Sequence, residues 1–121
     1  MSPGFAAFVT ELLEGLGPVS IRRMFGGAGV YADAVMFALI DEDVLYIKTD
    51  EALKAELAEA GSTPFSYVPG HGARAGQAID MGYWRMPEAA LDEPDEAVAW
   101  ARKALAVARA KAAAKPKKKR V

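Results

Sequence analysis

Gly26, Gly27 and Gly29 are the residues of this chain whose type and spacing come nearest to a known chemistry. Bare backbone N–H groups in such a run can cradle a phosphate, and Gly27-x-Gly29-x-x-Ala32 fits a loose form of the dinucleotide fingerprint. That chemistry needs a strand before the glycines and a helix N-terminus after them. The following stretch, "VYADAVMFALI", is β-branched and aromatic with a turn inside it, so no helix follows. The acid at ribose distance is Asp50, which reads as a helix cap. The glycines are therefore expected to be structural, at a bulge or where another backbone comes close.

The other chemical candidates are few. His71, the single histidine, stands in "PGHG", a loop too glycine-rich to hold an imidazole in fixed geometry. Asp41, Glu42 and Asp43 form an acidic run, but the oxygen ligands spaced over a glycine-centred loop that a calcium cage needs are missing. With no cysteine and one histidine, the sequence offers no zinc-ligand spacing and no thiol nucleophile. No cofactor and no catalysis are expected. An enzyme built on a carboxylate or Tyr/Arg pocket stays open as an alternative, and a pocket joining His71, Arg85 and two carboxylates would favour it.

Two surfaces could bind. Residues 1–96 hold all 16 acidic side chains and only six basic ones (Arg22, Arg23, Lys48, Lys54, Arg74 and Arg85), a net of −10. Residues 97–121 hold the other nine basic residues and no acid, a net of +9. Arg102, Lys103, Arg109, Lys111, Lys115, Lys117, Lys118, Lys119 and Arg120 form an arm that could neutralise phosphates without sequence preference; nucleic-acid contact through its end, Lys111, Lys115, Lys117, Lys118, Lys119 and Arg120, is a second functional reading. The same arm could fold back on its acidic body. The second surface is aromatic and arginine-rich: Arg22, Arg23, Phe25, Tyr31, Tyr67, Tyr83 and Arg85 are the residue types that anchor protein interfaces. In "GYWR", Tyr83 and Arg85 share one face of a strand and Trp84 takes the other; either could be the buried one.

The elements that must position these residues follow from period. Ser2-Pro3 reads as a cap and first helical proline, and Phe5, Phe8, Val9, Leu12, Leu13 and Leu16 make a helical stripe. "SIRRMF", "VMFALI" and "VLYIK" read as a three-stranded meander. A helix capped by Asp50 carries Leu53, Leu57 and Ala60 on one face and ends at Gly61. "TPFSYV" and "QAIDMGYWRM" are two more strands across a flexible turn, and "PEAAL" after them is a single turn. A last helix opens at Glu93-Pro94, buries Ala97, Val98, Ala101, Ala104, Leu105 and Ala108, and runs to about Lys111. The order α-β-β-β-α-β-β-α implies an α+β domain over residues 1–111, an antiparallel sheet with helices packed on it. Residues 112–121 read as a disordered basic tail. Residues 1–17 lack a basic n-region and carry Glu11 and Glu14, unlike a signal peptide. No stretch is long and apolar enough for a membrane, so a cytoplasmic protein is expected.

"RRMFGGAGVYADAVMFALI", "LYIK", "PFSY", "MGYWRMPE" and "AWARKAL" resemble, in order and spacing, the N-terminal domain of the TfoX/Sxy competence regulators. The resemblance covers roughly residues 5–110 and does not extend to the C-terminal helical domain of those regulators. It implies a secretion-chaperone-like α+β fold. It also implies a role in co-activating DNA-uptake genes with a transcription regulator such as the cyclic-AMP receptor protein. Ala34 departs from the pattern, since a glycine is common at that turn. The function expected is a non-catalytic regulatory or adaptor module acting by protein–protein contact, with a homodimer compatible with the same reading.

Overall fold

The structure is a computed structural model that describes residues 1–24 and 26–114. Its elements are helix α1 (Pro3–Leu12), strands β1 (Ser20–Met24), β2 (Gly27–Ala32), β3 (Val35–Asp41) and β4 (Val44–Lys48), helix α2 (Glu51–Glu59), strands β5 (Pro64–Tyr67) and β6 (Ile79–Arg85), and helix α3 (Pro94–Ala114). Single 3-10 turns at Glu14–Leu16 and Glu88–Asp92 follow α1 and precede α3. The six strands form one antiparallel sheet in the order β1-β2-β3-β4-β6-β5. The α+β class and the antiparallel sheet are as the sequence implies. The glycine segment is itself a strand, β2, and adds a fourth member to the expected meander of three.

The core lies on one side of the sheet. Ala28, Val30 and Ala32 of β2, Ala38 and Ile40 of β3, and Leu45 and Ile47 of β4 alternate inward. They meet Val9 and Leu12 of α1 and Leu13 just after it, Leu53 and Leu57 of α2, and Ala97, Ala101, Ala104, Leu105 and Ala108 of α3. The alanine stripe of α3 lets its backbone lie close on the sheet, most extensively on β3. α3 continues to Ala114, three residues past the expected end.

Local chemistry sets the ends. Pro3 opens α1, but the Ser2 side chain makes no cap hydrogen bond; the Ser2 N–H instead donates to Asp43 Oδ1 at 2.8 Å, tying the first helix to the β3–β4 turn. Asp50 Oδ1 accepts from the Leu53 N–H at 2.8 Å and caps α2. Gly61, at φ 85°, turns the chain out of that helix, and the Ser62 N–H returns to the Leu57 carbonyl. Both central hairpins close on two residues with positive φ, Asp33 and Ala34 in one and Glu42 and Asp43 in the other. Such turns match the twist of the strands they join.

Candidate functional site: the open face of the sheet

The three helices contribute to the core on one side, and the opposite side of the sheet is lined by side chains that are half-buried or exposed. Register places Arg22 opposite Gly29, Gly29 opposite Leu39, Leu39 opposite Tyr46 and Tyr46 opposite Arg85. One row thus crosses five strands, with an arginine at each end, about 19 Å apart at ordinary strand spacing. A second row on the same side holds Tyr31 opposite Met36, and Lys48 opposite Tyr83. The bulge at Val30/Tyr31 keeps Met36 on this side after Leu39.

The middle of the face is apolar because Gly29 has no side chain. A Cβ built there would lie 2.8 Å from the Met24 methyl, 3.0 Å from the Tyr31 ring and 3.1 Å from the Met36 sulfur. Those three side chains close over the glycine and bury it. Gly27 serves a different contact, since a Cβ there would lie 2.2 Å from the Ile40 carbonyl oxygen. Gly27 and Gly29 are thus places of close approach. Gly26, at φ 82°, precedes β2.

Cations and rings are paired across the face. The Arg22 guanidinium lies 5.2 Å from the Tyr31 ring centre and the Lys48 ammonium 4.8 Å from that of Tyr83. Tyr46 packs on Phe65 of β5 at 4.9 Å between centroids. Burial raises the Tyr83 hydroxyl pKa above its ordinary value, and Tyr31 adds to the effect. Burial also raises that of Tyr46; Arg85 opposes the rise and Asp41 and Glu42 support it. Tyr46 and Tyr83 therefore present neutral hydroxyls that can donate or accept a hydrogen bond at neutral pH.

The alternative left open by "GYWR" is resolved by register. Trp84 stands opposite Ile47 on the core side, while Tyr83 and Arg85 lie on the open face. Asp80 holds this strand in place. Its Oδ1 accepts from the Gly82 N–H at 2.8 Å, and its Oδ2 accepts from Trp84 Nε1 at 3.1 Å and pairs with Lys54 Nζ at 3.0 Å. Burial opposes ionisation of Asp80, but those donors outweigh it and hold the carboxyl below the usual range. Gly82, at φ 85°, gives its carbonyl to both the N–H and the hydroxyl of buried Thr49 at 3.0 Å. The result is a fixed β6 with Tyr83 and Arg85 turned outward.

Other candidates from the sequence are dispersed. Arg23 is exposed on β1 with the register parity of Ala28, the helix side. Tyr67 is exposed at the end of edge strand β5. Phe25, Lys115, Lys117, Lys118, Lys119 and Arg120 lie outside the described residues. Lys111 donates to the Thr49 carbonyl at 3.0 Å. Its neighbours along α3 are also committed to the body: Arg102 to the Gly15 carbonyl, Lys103 to Glu56, and Arg109 to Asp33 at 2.8 Å. A cavity of about 230 Å³ at the end of the sheet does gather Arg85, Asp43 and Glu88 above Phe5, Leu45 and Met86. His71 is not in its wall and stands in the exposed loop between β5 and β6. Among the described residues no three His, Cys, Asp or Glu side chains are grouped to hold a metal ion, and no helix is long and apolar enough to cross a membrane.

Leu39, Met24, Met36, Tyr46 and Lys48 belong to the face and were not singled out as site residues from sequence. The signal available was the alternation of "VLYIK", which sets Tyr46 and Lys48 apart from Leu45 and Ile47. The family model for the TfoX N-terminal domain matches residues 11–108. No curated protein matches the chain.

Proposed function

We propose that this chain, which belongs to the TfoX N-terminal domain family, is a non-catalytic regulatory module that acts in the cytoplasm by protein–protein contact through the open face of its sheet. The observation that carries the reading is the row Arg22–Gly29–Leu39–Tyr46–Arg85. It combines a flat apolar centre, tyrosine hydroxyls and two terminal guanidiniums, the residue types in which interface energy concentrates. The partner assigned is a transcription regulator such as the cyclic-AMP receptor protein, and the process is expression of DNA-uptake genes. Arg22 and Arg85 would meet carboxylates of that partner, and Leu39, Met24 and Met36 would cover an apolar anchor.

Calorimetry of the chain with the cyclic-AMP receptor protein of the same cell tests the reading. Tyr46→Ala and Arg85→Ala should each weaken binding by about 2 kcal/mol, roughly thirtyfold. Arg74→Ala, in the exposed loop after β5, should leave it unchanged. Equal affinities for all three variants, or no complex at all, would remove the assignment. Binding of an oligonucleotide at the same face, in place of the protein, would move the reading to nucleic acid.

A further inference from the structure

We infer that β1 is a receiving edge on which an acidic, extended segment of the partner adds as a seventh strand. The inference rests on the protein-contact reading and deepens it by naming the chemistry of the docking segment.

β1 and β5 are the two edges of the sheet. β5 is a poor template for another strand. Pro64 removes a backbone donor, the register with β6 is irregular between Pro64 and Ser66, and the strand is only four residues long. β1 has none of these defences. Its five residues pair with β2 without a bulge and contain no proline. Among the described elements, β2 alone contacts it extensively. Alternate residues of such an edge turn N–H and C=O groups away from the sheet, where a strand can take them up.

The side chains of that edge choose the occupant. Arg22 has the parity of Gly29 on the open face, and Arg23 that of Ala28 on the helix side, so an added strand meets one guanidinium on each face. Both arginines are exposed, in a body that is otherwise net acidic. Edge charges commonly guard a strand against unwanted pairing. This guard has one sign only. It repels a basic strand, and it repels a second copy of itself, because an antiparallel β1–β1 pairing about its middle sets arginine against arginine. An acidic strand is the complement. Ile21 shares the helix side with Arg23 and packs against the core, so the segment that fits best places an apolar residue beside Ile21 and acids beside Arg22 and Arg23.

The test is a titration of the isotope-labelled full chain, followed by amide NMR, with the capped peptides TVEEVT and TVKKVT at millimolar concentration. TVEEVT should shift the amides of Ser20–Met24 and slow hydrogen exchange at alternate positions among them. TVKKVT should do neither, and backbone N-methylation of TVEEVT should abolish the effect. The double variant Arg22→Glu with Arg23→Glu should bind TVEEVT about tenfold more weakly and gain a response to TVKKVT. Both sites are exposed, and the N-methylated peptide tests pairing on the unaltered chain. Equal responses to the two peptides, shifts confined to Tyr46, Tyr83 and Arg85, or no response would overturn the inference. So would an oligothymidylate that shifts β1 where TVEEVT does not. If TVEEVT fails while Tyr46→Ala still weakens the receptor protein, strand addition alone is wrong. If TVEEVT binds β1 but the receptor protein does not bind, strand addition stands and the choice of regulator is wrong.

Discussion

Replacing the two strand glycines by alanine separates a structural role from a phosphate cradle. In Gly27→Ala the new methyl would sit 2.2 Å from the Ile40 carbonyl oxygen, and the next atoms, 3.3 and 3.6 Å away, are also backbone. No side chain can move aside, so β2 and β3 must part locally at the cost of ladder hydrogen bonds. We expect a loss of roughly 3 kcal/mol, the upper range for overpacking, which for a domain of this size lowers Tm by on the order of 10 °C. In Gly29→Ala the methyl meets the ends of Met24 and Met36 and the edge of the Tyr31 ring. Methionine ends adapt, so the loss should be about 1 kcal/mol, or roughly 4 °C. Calorimetric melting of both variants beside the parent reads the difference. Similar melting temperatures for the two variants would refute the close-approach reasoning, as would saturable nucleotide binding lost in both without a change in Tm.

Ala34→Gly should stabilise the chain, because Ala34 holds φ 66° in the β2–β3 turn, where a Cβ costs about 1 kcal/mol; a rise in Tm of roughly 4 °C checks it, and a fall would contradict it. Asp50→Ala removes the bond to the Leu53 N–H and should cost about 1 kcal/mol by urea unfolding, with Asp50→Asn close to neutral. The carboxyl of Asp80 is held below its ordinary value in the folded chain, so its stabilisation is complete above the unfolded value near pH ~3.9 and is lost as pH falls through the folded value. Asp80→Asn should therefore cost about 1 kcal/mol at neutral pH after solvent screening, and the deficit should shrink at more acid pH; a deficit constant with pH would show that Asp80 acts by shape alone.

The period of small residues made α3 legible to its individual buried alanines, because a stripe at helical spacing has one reading over so many turns. Asp50 and Gly61 were equally plain as the ends of α2. β2 was hidden, since glycine is depleted from strands and signals a turn in one dimension. Its glycines are there because Ile40 and the two methionines come too close for a side chain, a fact of three dimensions. The open face was hidden for a related reason. β4 and β6 each carry only one aromatic and basic pair, Tyr46 with Lys48 and Tyr83 with Arg85; register sets these pairs side by side and brings Arg22 and Tyr31 to the same face from two further strands. The basic residues of α3 read as part of an arm, yet Arg102, Lys103, Arg109 and Lys111 are tied to the body because the helix lies along acidic and carbonyl-bearing edges of it.

The central claim is that this face docks a regulator, and amide NMR of the labelled chain with unlabelled cyclic-AMP receptor protein tests it most directly. The account predicts that the perturbed amides cluster on Arg22, Gly29, Tyr31, Leu39, Tyr46, Tyr83 and Arg85 and leave the exposed side of α3 untouched. A footprint on α3, or an unchanged spectrum at saturating receptor protein, would contradict it.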